Sequence, residues 1–246
     1  MKSLYSVEGY QTIIVGGSRG IGRALSYGFS QANARVTILD INRPESEGDF
    51  NFIQCDLEDE TSIKSALNKY HNDNSVAKVL INCAAITIPG QSHLYQDNDW
   101  IKSLSINLSG IFFLCREVGK KMIEQKIHGS IINFTSIGAE QGFANNPGYA
   151  ATKGGVKQLS KALAVEWGQY GIRVNNIVPG YTHTPMNLKS WNDKLLRKQR
   201  SDNSILGRWA EPEEMVGPAI FLASEASSYV TGIDLIVDGG WKAKGI

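Results

Sequence analysis

Short apolar runs alternate along the chain with longer stretches in which apolar residues recur at helical spacing. TIIV (12–15) precedes a helical pattern over 20–32. RVTIL (35–39) precedes a loop rich in Pro, Glu, Gly and Asp. NFIQ (51–54) precedes 61–70, and KVLIN (78–82) leads through a Pro-Gly loop to 100–124. SIINF (130–134) precedes 148–169, IRVNNIV (172–178) precedes 189–199 and 212–223, and IDLIV (233–237) comes last. Short β-branched runs without polar alternation are the pattern of strands buried on both faces, and the helices between them supply the crossovers. The reading predicts an α/β fold: a doubly wound (Rossmann) parallel sheet of about seven strands with helices on both faces. In such a sheet ligands lie beyond the carboxyl ends of the strands, at the switch in strand order.

Neither a linker nor a repeat interrupts this alternation, so residues 1–246 read as one domain. A formal net charge of +1 argues against a nucleic-acid binder, since neutralising many phosphates needs a basic surplus. No run of about 18 apolar residues marks a membrane span, and the polar N-terminus lacks a signal-peptide core. Cys55, Cys83 and Cys115 are odd in number and widely spaced. They read as free thiols of a cytoplasmic protein. Four scattered histidines make no metal constellation.

After the first strand, Gly16, Gly20 and Gly22 form GxxxGxG. A tight turn and close approach to a pyrophosphate favour residues without a Cβ, and the next helix offers free N–H groups and a positive dipole end. Asp40 ends the second strand, 18 residues past Gly22, where a carboxylate hydrogen-bonds a ribose 2′-hydroxyl and repels a 2′-phosphate. It favours NAD. Arg19 and Arg43 oppose it, because either guanidinium can pair with the extra phosphate of NADP. Asp56 and Asn82 follow the third and fourth strands, where adenine and ribose contacts fall; loop capping is the equal alternative for both.

Tyr149 and Lys153 stand four residues apart, on one face of a predicted helix. A fixed ammonium stabilises a phenolate, which turns a phenol into a usable proton acceptor and donor near neutrality. Ser136 follows the fifth strand and reaches the same end of the sheet. Asn107 lies in the long helical stretch after the fourth strand.

Taken together, VGGSRGIG, NCAA, Ser136, YAATK, Pro179-Gly180 and the DGG at 238–240 resemble, in order and over nearly the whole chain, the short-chain dehydrogenase/reductase family in its single-domain branch. That resemblance implies an NAD(P)-dependent oxidoreductase acting between an alcohol and a carbonyl carbon. It assigns catalysis to Asn107, Ser136, Tyr149 and Lys153. The cofactor contacts it implies are Gly16, Ser18, Arg19, Gly20, Ile21, Gly22, Asp40, Asp56, Leu57, Asn82, Ala84, Tyr149, Lys153, Pro179, Gly180, Thr182 and Thr184. Two departures stand out. Val15 replaces the usual threonine before the glycines, and Cys83 and Ala85 alter the family's NNAG.

Residues 181–207 are expected to form a substrate flap; they carry Tyr181, His183, Met186, Trp191 and the basic run KLLRKQR (194–200). The run either meets an anionic substrate or is a solvated helix face. The C-terminal stretch resembles family members acting on sugar acids and polyols, gluconate and deoxygluconate dehydrogenases among them. A 3-oxoacyl-thioester reductase using NADPH is the alternative, and a non-catalytic NAD(P)-sensing protein the alternative from another class. The resemblance also implies a homodimer or homotetramer paired through helices near 98–126 and 149–169.

Overall fold

The computed structural model describes residues 3–45, 48–73 and 76–244. Seven parallel strands form one sheet in the order β3-β2-β1-β4-β5-β6-β7. They are β1 (Gln11–Val15), β2 (Arg35–Asp40), β3 (Phe50–Gln54), β4 (Val79–Asn82), β5 (Ser130–Phe134), β6 (Arg173–Pro179) and β7 (Asp234–Val237). The order reverses between β1 and β4, so the chain crosses from one half of the sheet to the other there. A crevice opens at that point beyond the strand ends. β4 and β5 are buried along their whole length, as strands covered on both faces must be.

One face carries α2 (Glu60–Asp73), α4 (Gly110–Glu124) and α5 (Pro147–Trp167); the other carries α1 (Gly20–Gln31) and α8 (Val216–Ala223). Leu25 and Phe29 of α1 are fully buried beside Ile14 and Ile38. Each contributes roughly 1.5–3 kcal/mol relative to exposure. Met122, Leu114 and Val118 of α4 fill the opposite side with Ile13, Leu80 and Ile131. No helix among the described residues is long and apolar enough to cross a membrane.

Two predicted helices are interrupted. The stretch expected over 100–124 runs as α3 (Asp97–Leu104), a π turn over Ser105–Ser109, and α4. That turn adds one residue per turn and rotates Asn107 into the interior. The stretch expected over 189–199 divides into α6 (Leu188–Asn192) and α7 (Lys194–Asn203). Asp193 ends the first and caps the second, its Oδ1 accepting from Leu195 N (2.9 Å) and Leu196 N (3.0 Å).

Asn82, Asn133, Asn176 and Asp234 stand side by side in register on β4, β5, β6 and β7. Asn82 Nδ2 donates to Asn133 Oδ1 (2.8 Å), and Asn133 Nδ2 to Ser160 Oγ (2.8 Å). Ser160 Oγ lies 2.6 Å from Asn176 Oδ1, and Asn176 Nδ2 donates to Asp234 Oδ1 (2.8 Å). Polar groups in a buried sheet need such partners, and here they tie four strands to α5.

Candidate active site

The glycine turn closes on its own backbone as tightly as on any ligand. Gly16 has φ +77°, and a Cβ there would lie 2.6 Å from Ala84 Cα. A Cβ on Gly22 would lie 2.0 Å from Gly16 O. The spacing therefore sets how closely α1 packs on β1 and β4. The N-terminus of α1 is left ready for an anion: Arg19, its N-cap residue, is extended and exposed and makes no side-chain cap bond. First-turn amides without a capping oxygen, with Gly20 at φ +54°, suit a pyrophosphate. The dinucleotide expected from the sequence fits this donor set.

Asp40 joins the glycine turn to the loop after β2. Its Oδ2 accepts from Ser18 N and its Oδ1 from Asn42 N, both at 3.1 Å, while Ser18 Oγ donates to Asn42 O (2.6 Å). The carboxylate thus braces the glycine turn against the loop after β2. Arg43 stacks on Phe52, 5.1 Å from the ring centroid.

The other expected cofactor residues divide. Thr184 borders Gly20, its Cβ 3.4 Å from where a Gly20 Cβ would stand. Pro179 ends β6, and a Cβ on Gly180 would lie 2.7 Å from Asp238 Cα. Thr182 is buried, with Oγ1 donating to Gly180 O (3.2 Å). Asp56 caps its own loop, its Oδ1 accepting from Glu58 N (2.9 Å), and Leu57 is buried beside Gly110. Asn82 differs from expectation: its side chain is buried in the sheet with Asn133 and Cys115 rather than facing the crevice. Strand alternation at the last residue of β4 turns it toward α4 and α5.

Asn107, Ser136, Tyr149 and Lys153 converge at the carboxyl end of β4 and β5. Ser136 stands just past β5, its Oγ accepting from Gly138 N (3.0 Å), and its hydroxyl acts on the ionisation of the Tyr149 phenol. Asn146 and Pro147 open α5, which carries Tyr149 and, one turn later, Lys153. The Lys153 ammonium is buried 5.7 Å from the Tyr149 ring centroid and donates to Phe134 O (2.7 Å). Asn107 is fully buried; its Oδ1 accepts from Ile86 N (2.8 Å), and its Nδ2 donates to Ile86 O (2.9 Å) and Thr152 Oγ1 (3.3 Å).

Electrostatically the site differs from the sequence expectation. Burial pushes the Tyr149 phenol above its ordinary value, against the lowering effect of the Ser136 hydrogen bond. Burial also brings Lys153 down to about 8. Desolvation penalises the charged forms of both groups. Cys83 takes the place of the second family asparagine, and burial raises its thiol to about 12.

Aromatic rings cluster around Tyr181, just past Pro179-Gly180. Tyr181 packs on Trp209 (5.0 Å between centroids), Trp241 (5.1 Å) and Phe143 (6.3 Å). His183 stacks on Trp191 at 4.0 Å. The C-terminal segment also reaches the loop after Ser136: Trp241 Nε1 donates to Gln141 Oε1 (2.9 Å), and Lys242 and Lys157 both bind Glu140. Nothing in the sequence pattern points to this clamp. Its partners lie about 100 residues apart with no local pattern to announce them.

Comparison with known proteins is decisive at this point. A family model described as enoyl-(acyl carrier protein) reductase matches residues 15–242. The chain belongs to the short-chain dehydrogenase/reductase family. It is 34% identical to the 2-dehydro-3-deoxy-D-gluconate 5-dehydrogenase of Pseudoalteromonas atlantica, over 99% of this chain and 100% of the relative. It is 32% identical to the D-threitol dehydrogenase of Mycolicibacterium smegmatis, over 98% and 95%. The crystal structure of a gluconate 5-dehydrogenase from Burkholderia cenocepacia J2315 in complex with NADP and tartrate superposes with a TM-score of 0.93 at 30% identity, covering 98% of both chains. As a member of this family the chain is an NAD(P)-dependent oxidoreductase of the CH–OH/C=O class.

Proposed function

We propose that this enzyme interconverts a secondary alcohol and a ketone on a sugar-acid or polyol substrate, with Tyr149 exchanging the proton at the substrate oxygen. The observation that carries the reading is the Tyr149 phenol at the carboxyl end of the sheet on the Ser136 side, with the buried Lys153 ammonium 5.7 Å from its ring centroid. The nicotinamide supplies or accepts the hydride when bound. Ser136 fixes the substrate oxygen beside the phenol, so the proton moves over hydrogen-bond distance. Lys153, held on Phe134 O, sets its ammonium beside the Tyr149 ring. Asn107 keeps the backbone around Ile86 and the α5 face at Thr152 in place beneath them.

Two relatives act on a sugar acid and a polyol by name, and a solved one holds tartrate, a hydroxy acid. The aromatic wall of Tyr181, Trp209 and Trp241 suits the C–H faces of such substrates. For the cofactor, Asp40 favours NAD, and the NADP in the solved relative keeps NADP in the test. Residues 181–207 serve as the flap. Exposed Phe112 and Val165, on α4 and α5, support subunit pairing through those helices.

The test is a turnover panel of sugar acids, polyols and a 3-oxoacyl thioester with each cofactor, repeated on Tyr149→Phe. Turnover of sugar acids or polyols that drops at least about 100-fold in Tyr149→Phe is expected. Turnover of the thioester alone would replace this reading with the reductase. Cofactor binding with no turnover of any substrate would make the chain a binding protein.

A further inference from the structure

The cations of the flap region meet different fates. Lys198 pairs with Asp202 (2.7 Å), and Arg208 engages Glu214 through both guanidinium nitrogens at 2.7 Å. Arg197 lies 5.0 Å from the Trp191 centroid. Arg200, on α7, is half-buried with its guanidinium 4.4 Å from the Tyr181 centroid and 5.9 Å from that of Trp209. It has no hydrogen bond and no carboxylate within ion-pair distance among the described residues. Stacking on two rings offsets part of the lost hydration. It leaves the planar fork of N–H donors unused, and that fork matches a carboxylate.

Position connects this cation to the chemistry. Tyr181 follows Gly180 directly, and its ring lies 6.3 Å from that of Phe143, which packs against Gly138, the residue whose N–H donates to Ser136 Oγ. Arg200, Tyr181, Ser204, Asp238 and Trp241 border a cavity of about 100 Å³. This volume leaves room for a carboxylate group.

We propose that Arg200 is the specificity-determining residue of this enzyme, anchoring the carboxylate of a sugar acid across Tyr181 from the carbon that reacts at Tyr149. The inference rests on the proposed site and narrows its substrates to acids over polyols.

Binding of sugar acids (gluconate, galactonate) and of polyols of equal chain length to the NADH- or NADPH-loaded protein tests it, read by tryptophan fluorescence and compared among wild type, Arg200→Gln and Arg200→Lys. Loss of a charge-assisted bond predicts a Kd for sugar acids raised roughly 10- to 100-fold in Arg200→Gln. Arg200→Lys should recover part of it, and polyol Kd should move by a much smaller factor. Equal losses for acids and polyols, no loss at all, or a wild type that binds no sugar acid would each overturn the proposal. Sugar acids that bind through Arg200 and are never oxidised would uphold the anchor and overturn the proposed reaction instead.

Discussion

Asn107 grips the peptide groups of Ile86 from both sides, its Oδ1 accepting from the N–H at 2.8 Å and its Nδ2 donating to the C=O at 2.9 Å. The π turn at Ser105–Ser109 is what brings the amide to that depth. Asn107→Leu orphans both groups, at about 1–3 kcal/mol each, and loosens the loop behind Lys153. We expect lower stability in urea unfolding together with reduced kcat. Asn107→Asp, which keeps the acceptor and loses the donor, should fall between. Unchanged unfolding in Asn107→Leu would show that the clamp carries no weight.

Gly22 has no room for a side chain. Its Cβ would meet Gly16 O at 2.0 Å, and neither partner can retreat without moving α1 from the sheet. Gly22→Ala should cost about 3 kcal/mol or more, at the upper end of overpacking penalties. Gly217, exposed on α8 with nothing within 4 Å of its Cβ position, is the contrast: Gly217→Ala should stabilise by about 0.5–1 kcal/mol. Chemical denaturation of both variants checks the pair.

Burial lowers Lys153 to about 8 from 10.5. Between those values the unfolded chain binds the proton and the folded chain releases it, so stability rises with pH across that window. Below about pH 8 both states are protonated, and the penalty of the buried charge is present in full. Relative to Lys153→Met, wild type should therefore gain on the order of 3 kcal/mol between pH 8 and 10.5. A constant difference in urea unfolding from pH 7 to 10 would contradict the buried ammonium.

The raised Tyr149 phenol makes a kinetic counterpart. Alcohol oxidation, which needs the phenolate, should climb with pH through the alkaline range, and carbonyl reduction, which needs the phenol, should fall. Profiles of kcat/KM in the two directions check this; parallel profiles would remove Tyr149 from the proton transfer.

Asp40 accepts from Ser18 N and Asn42 N at the end of β2 beside the glycine turn. Asp40→Ser should weaken NADH and strengthen NADPH, moving their affinity ratio by roughly tenfold, about the worth of one hydrogen bond to a charged group. Calorimetry with both cofactors measures the ratio. An unmoved ratio would confine Asp40 to bracing the glycine turn.

Seven strands, the two-faced layering and the family were legible in the sequence because each is written locally. A strand buried on both faces must be apolar at successive positions, and a glycine turn, a YxxxK pair and a Ser after a strand are patterns within a few residues. The placement of Tyr149 and Lys153 on one helical face followed from spacing alone, and they do share the face of α5.

What only the tertiary structure decided concerns partners distant in the chain. The register of Asn82, Asn133, Asn176 and Asp234 depends on how four strands slide against one another. The Trp241–Gln141 clamp joins segments about 100 residues apart. The direction of the Tyr149 shift depends on desolvation, which exists only once the surrounding elements have closed over the ring. The basic run at 194–200 looked uniform in sequence; folding paired Lys198 with Asp202, set Arg197 on Trp191 and laid Arg200 over Tyr181. Sequence determines which groups are available within a turn or a strand, and packing determines which of them lose water and to whom they turn.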